Sequence, residues 1–94
     1  MTQSFFVYIL TNYTNSVLYT GVTNNLQRRI KEHRRKKSGN SFVDRYRLYK
    51  LIWFEEFPSP NEAIKAEKMI KGWTRVKKVD LIKKKNPRFI ELMP

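Results

Sequence analysis

The chain has 94 residues and a formal net charge of +12, from 20 Lys and Arg against eight Asp and Glu. With 40% hydrophobic residues and no cysteine, the composition predicts one globular domain over residues 1–94 and excludes disulfides and thiolate metal sites. No apolar run is long enough to span a bilayer, and no segment pairs a basic face with a bulky apolar one, so we expect no membrane partner. The excess of positive charge favours nucleic acid instead, and a cytoplasmic location is the default expectation.

The first two predicted elements form a β-hairpin. Residues 4–11 are rich in β-branched and aromatic side chains and lack a basic region before them, which indicates a buried strand rather than a signal segment. A cluster of turn-forming residues at 12–16 separates this strand from a second one at 17–22. Gly21 lies inside the second strand, where a glycine indicates a bulge or the close approach of another group.

A helix is predicted next, followed by a segment that fits two structures. Residues 23–37 have helical spacing of their apolar side chains, and Thr23 or Asn24 is the expected cap. Residues 42–49 suit either a short helix or a loop.

The second half of the chain predicts one strand and two helices. Residues 50–57 are strongly apolar and predict the third strand, 59–73 a helix, and 75–86 a further short helix. The tail is expected to pack back onto the fold through Phe89 or Leu92. The resulting order, β-β-α-β-α-α, predicts an α+β fold in which a three-stranded antiparallel sheet is flanked by helices.

One side chain does not suit its position in the helix at 59–73. Ser59 and Glu62 form a capping box at its start. The inward face consists of Ala63, Ala66, Ile70 and Trp73, and Glu67 falls in the middle of it. Because an unpaired buried carboxylate is too costly to keep, we expect a cation beside Glu67, and Arg29 in an ion pair is the ordinary candidate.

Four more polar side chains are expected near this carboxylate. Arg29 and His33 are four residues apart and share a helix face. Tyr8 and Tyr19 come close to facing each other across the hairpin if its turn is centred near residues 13 and 14. Each has an ordinary structural explanation, such as a core aromatic pair or a buried polar filler. Taken with Glu67, they predict one polar cluster.

These residues resemble the GIY-YIG nuclease family. The segments FVY at 6–8 and YTG at 19–21, eleven residues apart from tyrosine to tyrosine, are similar to the two halves of its signature. NNLQRRIKEH then supplies Arg29 and His33 at the family's spacing, and AIKAEKMIKG supplies Glu67 at the position where the family has its single metal-binding glutamate.

The resemblance covers essentially the whole chain, with two departures. Phe6 replaces the glycine of the first motif and Thr20 the isoleucine of the second, at positions that are non-catalytic in the family. The chain looks most like small stand-alone members of unassigned role. The later part of the resemblance comprises Gly72, Trp73, Arg75, Lys77 and Lys78.

The resemblance implies an endonuclease that hydrolyses phosphodiester bonds with one Mg²⁺ or Mn²⁺ ion bound by Glu67. Arg29 would hold the phosphate. Tyr8 and Tyr19 would border the attacking water, one of them serving as general base with a pKa lowered by Arg29 and the metal, and Tyr8 is slightly preferred. His33 would accept or orient the proton of a phenol. DNA is favoured over RNA, with structure-directed cleavage in repair or recombination.

A second group of residues is expected to bind the nucleic-acid backbone without reading sequence. Its members are Gly21, Arg34, Arg35, Lys36, Lys71, Arg75, Lys77, Lys78 and Asn86. Gly21 would let the phosphate approach the strand, and Asn86 matches a late active-site asparagine of the family. Lys37 and the run at 83–85 extend the basic surface.

The sequence also allows two other functions. One is a non-catalytic nucleic-acid-binding module on the same fold, and the other is a small RNA-binding protein associated with ribosomes. Metal-dependent nicking by the wild type but not by Glu67→Ala would distinguish the enzyme from both. A protein partner or a homodimer would supply targeting.

Overall fold

Three antiparallel strands form the centre of the fold, in the order β2-β1-β3. They are β1 (Phe5–Thr11), β2 (Leu18–Thr23) and β3 (Lys50–Phe57). The computed structural model describes residues 4–35 and 41–94. Strand β1 takes the central position because both of its faces are apolar: residues 7–10 are fully buried.

Helices cover this sheet. In the described residues they are α1 (Leu26–Arg34), α2 (Ser41–Tyr46), α3 (Pro60–Lys71) and α4 (Arg75–Lys85). The predicted α+β class is therefore confirmed, and the ambiguous segment at 42–49 contains the short helix α2. None of these helices is both long enough and apolar enough to cross a lipid bilayer.

The helix starts show which capping predictions were right. Ser59 caps α3 as predicted, because its Oγ accepts the backbone N–H of Glu62 at 3.3 Å. Helix α1 is capped by Asn25 rather than by Thr23 or Asn24. The Asn25 side chain accepts the backbone N–H three residues further on at 3.0 Å, while Thr23 is the last residue of β2.

The hairpin register differs from the predicted one. Thr11 pairs with Leu18, which centres the turn one residue later along the chain than expected. Tyr8 therefore lies opposite Gly21, and Tyr19 lies diagonal to Tyr8 instead of facing it. Both tyrosines still point to the same face of the sheet, because they keep the same alternation along their strands.

Two apolar layers lie on opposite faces of the sheet. The first contains Val7 and Ile9 of β1 together with buried side chains of α3 and α4, and the second contains Tyr8 and Leu10 with buried side chains of α1 and α2. The tail joins both layers as predicted: Phe89 packs in the first, and the half-buried Leu92 packs against the second. Consequently, α1 and α3 approach the sheet from opposite sides.

Candidate active site

A hydrogen-bonded chain links β1 to α1. The Tyr8 hydroxyl lies 3.3 Å from Nε2 of His33, and the Arg29 guanidinium hydrogen-bonds the same hydroxyl. Tyr8 is 1% exposed and His33 is 0% exposed. Because a guanidinium can only donate, the Tyr8 oxygen accepts from Arg29 and its O–H is left to donate to His33.

The pKa of His33 allows its imidazole to accept a hydrogen bond from the Tyr8 hydroxyl. Burial, reinforced by the positive charge of Arg29, lowers the pKa of His33 to about 4, although Glu32 and Asp44 act in the opposite sense. The imidazole is therefore neutral at pH 7, and Nε2 accepts from Tyr8 when Nδ1 carries the ring proton. In the described part of the chain, Nδ1 has no hydrogen-bond partner of its own.

Arg29 lowers the pKa of Tyr8, as expected, but burial acts more strongly in the opposite direction. Burial raises the pKa of Tyr8, and the hydrogen bond from Arg29 opposes that effect without overcoming it. Removing the phenol from water penalises the phenolate more than one cation can offset. Tyr8 is thus a buried, protonated hydroxyl that connects Arg29 to His33.

Tyr19 stands beside this chain in a more open position. Its ring centroid lies 6.4 Å from those of both Tyr8 and His33, and the Tyr8 and His33 centroids are 6.0 Å apart. Tyr19 is only half-buried. Of the two phenols, it is the one that solvent reaches.

Gly21 makes room for the side chain of Tyr8. A Cβ atom placed there would lie 2.5 Å from both Cζ and the hydroxyl oxygen of Tyr8, closer than carbon atoms can approach. The room above Gly21 is therefore filled by the Tyr8 ring, rather than left open for a phosphate. Glycine at this position allows the phenol to lie flat across β2.

The inward carboxylate has a cationic partner, although it is not the one expected. Glu67 is 7% exposed, and its Oε1 lies 2.5 Å from Nζ of Lys71, one turn later in α3. The hydrogen bond to Glu67 raises the pKa of Lys71, so its ammonium stays charged. Arg29, which was the alternative partner to a metal ion, lies 3.5 Å from Glu32 instead.

Lys71 also connects α3 to the tyrosines. Its Nζ lies 5.9 Å from the centroid of the Tyr19 ring, within the range of a cation–π contact. Contacts therefore run from Glu67 through Lys71 to Tyr19, and from there to Tyr8. Lys71 therefore connects Glu67 to the group that contains the two tyrosines at the β2 edge of the sheet.

The donor set at Glu67 fits a hydrated Mg²⁺ or Mn²⁺ ion. Within residues 4–35 and 41–94, no group of three or more His, Cys, Asp or Glu side chains could hold a metal ion. Mg²⁺ needs no such group, since it binds through one or two carboxylates and keeps several water ligands. The Lys71 side chain is 52% exposed. A divalent ion arriving from solvent could therefore replace the ammonium at the same carboxylate oxygen.

An open groove of about 490 Å³ adjoins the cluster. It runs between the β2 edge, α1 and the start of α3. Arg28, Arg29 and Glu32 supply its charged wall, and apolar atoms of Val22 and Ile64 line the other side. Arg29 thus belongs both to the hydrogen-bonded chain and to the groove.

Asn86 makes hydrogen bonds inside the fold. It is buried at the end of α4, and its Nδ2 donates to the carbonyl oxygens of Ile52 at 2.9 Å and Ile90 at 2.8 Å. Its Oδ1 accepts the backbone N–H of Ile90 at 3.0 Å. The structure therefore gives this amide a structural role.

Two of the predicted basic contacts also stabilise the fold. The Arg34 guanidinium lies 2.7 Å from the Glu91 carboxylate and ties the tail to α1. The Arg75 guanidinium donates to the carbonyl oxygens of Asn15 and Ser16 in the β1–β2 turn. These two cations are already engaged before any nucleic acid binds.

The other predicted basic residues are more accessible. Arg35 and Lys77 are exposed and Lys78 is half-buried. Nζ of Lys77 lies 5.1 Å from the centroid of the Trp73 ring, within the range of a cation–π contact. Lys36 and Lys37 lie outside the described residues.

Sequence reasoning missed the part that Lys71 plays in the site. It was assigned only to the nucleic-acid backbone, although Glu67 and Lys71 stand at the i and i+4 spacing that favours an ion pair on a helix. That spacing was the signal that could have found the pair.

Comparison with known proteins places this cluster in a family. The family model described as "GIY-YIG catalytic domain" matches residues 4–80, which include all five predicted catalytic residues. The chain belongs to the GIY-YIG catalytic domain family, a family of nucleases.

The relatives within that family are UPF0213 proteins. The chain is 38% identical to one from Syntrophus aciditrophicus over 82 residues, covering 87% of this chain and 92% of the relative. It is 42% identical to one from Clostridium perfringens over 81 residues, covering 86% and 85%. The solution NMR structure of a UPF0213 protein from Bacillus halodurans matches with a TM-score of 0.56 and 31% identity, covering 92% of this chain and 89% of that one.

Proposed function

We propose that the protein is a divalent-metal-dependent endonuclease that hydrolyses phosphodiester bonds, with DNA as the preferred substrate and residues 1–94 acting as one nuclease domain. The observation that carries the proposal is the placement of Lys71. It contacts the Glu67 carboxylate and the Tyr19 ring at once, and so joins the inward glutamate to the group formed by the two tyrosines, Arg29 and His33.

Arg29 is the proposed phosphate ligand. One of its N–H groups is taken by Tyr8, whose own proton is directed to the neutral His33. This chain holds the guanidinium at the wall of the groove, and its planar fork of donors suits two oxygens of a phosphate. Tyr8 and His33 are therefore positioning residues. Arg29 would offset the negative charge that grows on the phosphate oxygens as water attacks.

Tyr19 is the proposed general base. The Lys71 ammonium lies 5.9 Å from the centroid of the Tyr19 ring, so a cation faces this solvent-accessible phenol. After giving up its own proton to solvent, Tyr19 would take a proton from the attacking water. The water oxygen then bonds to phosphorus, the bond to the leaving oxygen breaks, and that oxygen takes a proton from solvent.

A divalent ion bound to Glu67 supplies further positive charge at the phosphate. Glu67 would hold the ion, and Lys71 would remain beside the Tyr19 ring, where its charge favours a polyanion.

The basic surface supports weak, salt-sensitive binding directed by structure rather than by sequence. Arg35, Lys36, Lys71, Lys77 and Lys78 are the proposed backbone contacts. Cleavage of this kind suits DNA repair or recombination, with a protein partner or a homodimer directing it to a site.

The proposal is tested by incubating the protein with supercoiled plasmid, branched DNA and structured RNA, with Mg²⁺, with Mn²⁺ and with EDTA. We expect nicking that needs the metal and falls by at least a hundredfold in Glu67→Gln. Glu56→Gln, which changes an exposed carboxylate on β3, is the matched control and should cut normally. Binding of every substrate without cleavage, by wild type and variants alike, would instead identify a non-catalytic module.

A further inference from the structure

A row of exposed aromatic rings extends from Tyr19 along α2. The Phe42 ring centroid lies 6.3 Å from that of Tyr19, and the Tyr46 centroid lies 4.8 Å from that of Phe42. Phe42 and Tyr46 stand one helical turn apart, so they share a face of α2. We call these two residues the aromatic row. It begins beside the phenol proposed to act on the scissile phosphate.

The aromatic row does not serve to hold α2 on the sheet. Val43 and Leu48 are fully buried in the second apolar layer and anchor the helix and the residues after it. Phe42 and Tyr46 are 44% and 40% exposed. Large aromatic rings that are this exposed beside the candidate site indicate a surface that binds a planar ligand.

Cations flank the aromatic row and indicate the chemistry of its ligand. The Arg45 guanidinium carbon lies 5.6 Å from the centroid of the Tyr46 ring, and Nζ of Lys71 lies over the ring of Tyr19, which neighbours Phe42. A ligand that matches rings between positive charges has a planar aromatic part and an anionic backbone. A nucleotide has both.

We propose that the aromatic row is a stacking site for an unpaired nucleobase of the strand that is cut beside Tyr19. This inference rests on the proposed nuclease function and assigns its substrate class. A base inside a duplex has both faces covered by its neighbours, whereas an unpaired base offers a face to Phe42 or Tyr46. The preferred substrates are therefore strands with unpaired nucleotides next to the cleaved bond: single strands, flaps and frayed ends.

The test measures stacking without cleavage. A DNA strand carrying one 2-aminopurine, whose fluorescence falls when it stacks, is titrated with protein in EDTA, once as a single strand and once fully paired. The variants are Phe42→Leu and Tyr46→Leu, which keep an apolar side chain but remove the ring. Tyr13→Leu is the control, since Tyr13 is an exposed tyrosine on the β1–β2 turn. Thermal unfolding checks that each variant is folded.

We expect wild-type protein to quench the single strand much more than the duplex. Tyr46→Leu and Phe42→Leu should each weaken binding of the single strand about tenfold, which is the size of one lost base–aromatic stack. Tyr13→Leu should bind within about twofold of wild type. Tyr46→Leu is the cleaner variant because Phe42 also contacts Tyr19.

Three results would overturn the inference: equal quenching of paired and unpaired probe, unchanged binding by both row variants, or the same loss in Tyr13→Leu. Its failure can be told apart from failure of the nuclease proposal. Metal-dependent nicking with normal binding by the row variants refutes the stacking site alone. The expected quenching pattern without nicking on any substrate supports the stacking site and refutes the cleavage.

Discussion

Nζ of Lys71 and Oε1 of Glu67 lie 2.5 Å apart on consecutive turns of α3, the first at a half-exposed side chain and the second at a buried one. This ion pair explains how a carboxylate can face inward without a metal. A buried carboxylate needs a counter-ion, and α3 supplies the Lys71 ammonium, which a metal ion could displace. Exchange of one cation for another at Glu67 is the simplest account of how a metal would enter the site.

Substituting Lys71 should therefore make the stability of the fold depend on metal. In Lys71→Met, Glu67 loses its counter-ion, and we expect the free energy of unfolding in EDTA to fall by about 1 kcal/mol, since the lysine is half exposed. Millimolar Mn²⁺ should restore most of that loss by binding the carboxylate in the folded state only. Urea unfolding with and without Mn²⁺ measures both effects. Lys68 is an exposed lysine on the same helix, and Lys68→Met should show neither effect. If Mn²⁺ does not stabilise Lys71→Met, the proposed exchange of Lys71 for a metal ion is contradicted.

His33 should make the fold less stable as the pH falls. Its pKa is about 4 in the folded protein and near the ordinary 6.5 when unfolded, so between these values the unfolded chain binds a proton that the folded one excludes. The stabilising effect is complete above pH 6.5 and is lost as the pH falls towards 4, by up to about 3 kcal/mol.

That prediction can be measured at a single group, because the chain contains one histidine. NMR titration of the imidazole in the folded protein should give a midpoint well below 6.5. Urea unfolding between pH 7 and pH 4.5 should show a steeper decline for wild type than for His33→Phe. A histidine that titrates normally in the folded protein would contradict the predicted loss of stability between pH 6.5 and pH 4.

Replacing Gly21 with alanine should destabilise the fold, whereas the same replacement at Gly72 should not. At Gly21 the added methyl group would meet the Tyr8 ring at 2.5 Å, so we expect Gly21→Ala to cost about 1–3 kcal/mol and to lower nicking by displacing the phenol. At Gly72 the nearest atom would be the Met69 carbonyl oxygen at 3.5 Å, and φ is −79°. Gly72→Ala should be neutral or slightly stabilising. Urea denaturation of the two variants compares their free energies of unfolding, and equal changes would refute the prediction.

Asn86 should behave as a structural residue. Asn86→Ala removes two donated hydrogen bonds and one accepted bond at a buried site, which predicts a loss of about 2–4 kcal/mol in the free energy of unfolding. Asn61→Ala, at an exposed asparagine in α3, should change it by less than about 0.5 kcal/mol. At a temperature where Asn86→Ala is folded, its affinity for DNA should equal that of wild type. Weakened DNA binding by a fully folded variant would instead favour the contact predicted from the sequence.

Much of the fold could be predicted because its signals are local. The strands follow from runs of β-branched and aromatic residues, and α3 from a cap, a proline and an apolar face. The hairpin register could not be predicted, because it depends on the turn: Asn15 adopts a positive φ of 57°, and the Asn12 side chain accepts the backbone N–H of Ser16. Such geometry is one of several that the same turn residues permit.

The resemblance named the residues of the candidate site, but the sequence could not predict their pKa values. The resemblance named the side chains that the structure brings near each other, but the pKa of Tyr8 depends on the balance between burial and one hydrogen bond. That balance belongs to the three-dimensional packing. The exposed faces of Phe42 and Tyr46 are likewise set by how Val43 anchors α2, which no spacing along the chain reveals.

The two apolar layers have one consequence for how this protein would work. Arg29 is carried by the helix on one side of the sheet and Glu67 by the helix on the other, so neither layer contains a complete set of charges. A strand of nucleic acid lying along the β2 edge would touch both helices and hold them at a fixed separation. The substrate itself would then complete the alignment, and small shifts of one helix relative to the other would switch the chemistry off while leaving both interiors intact.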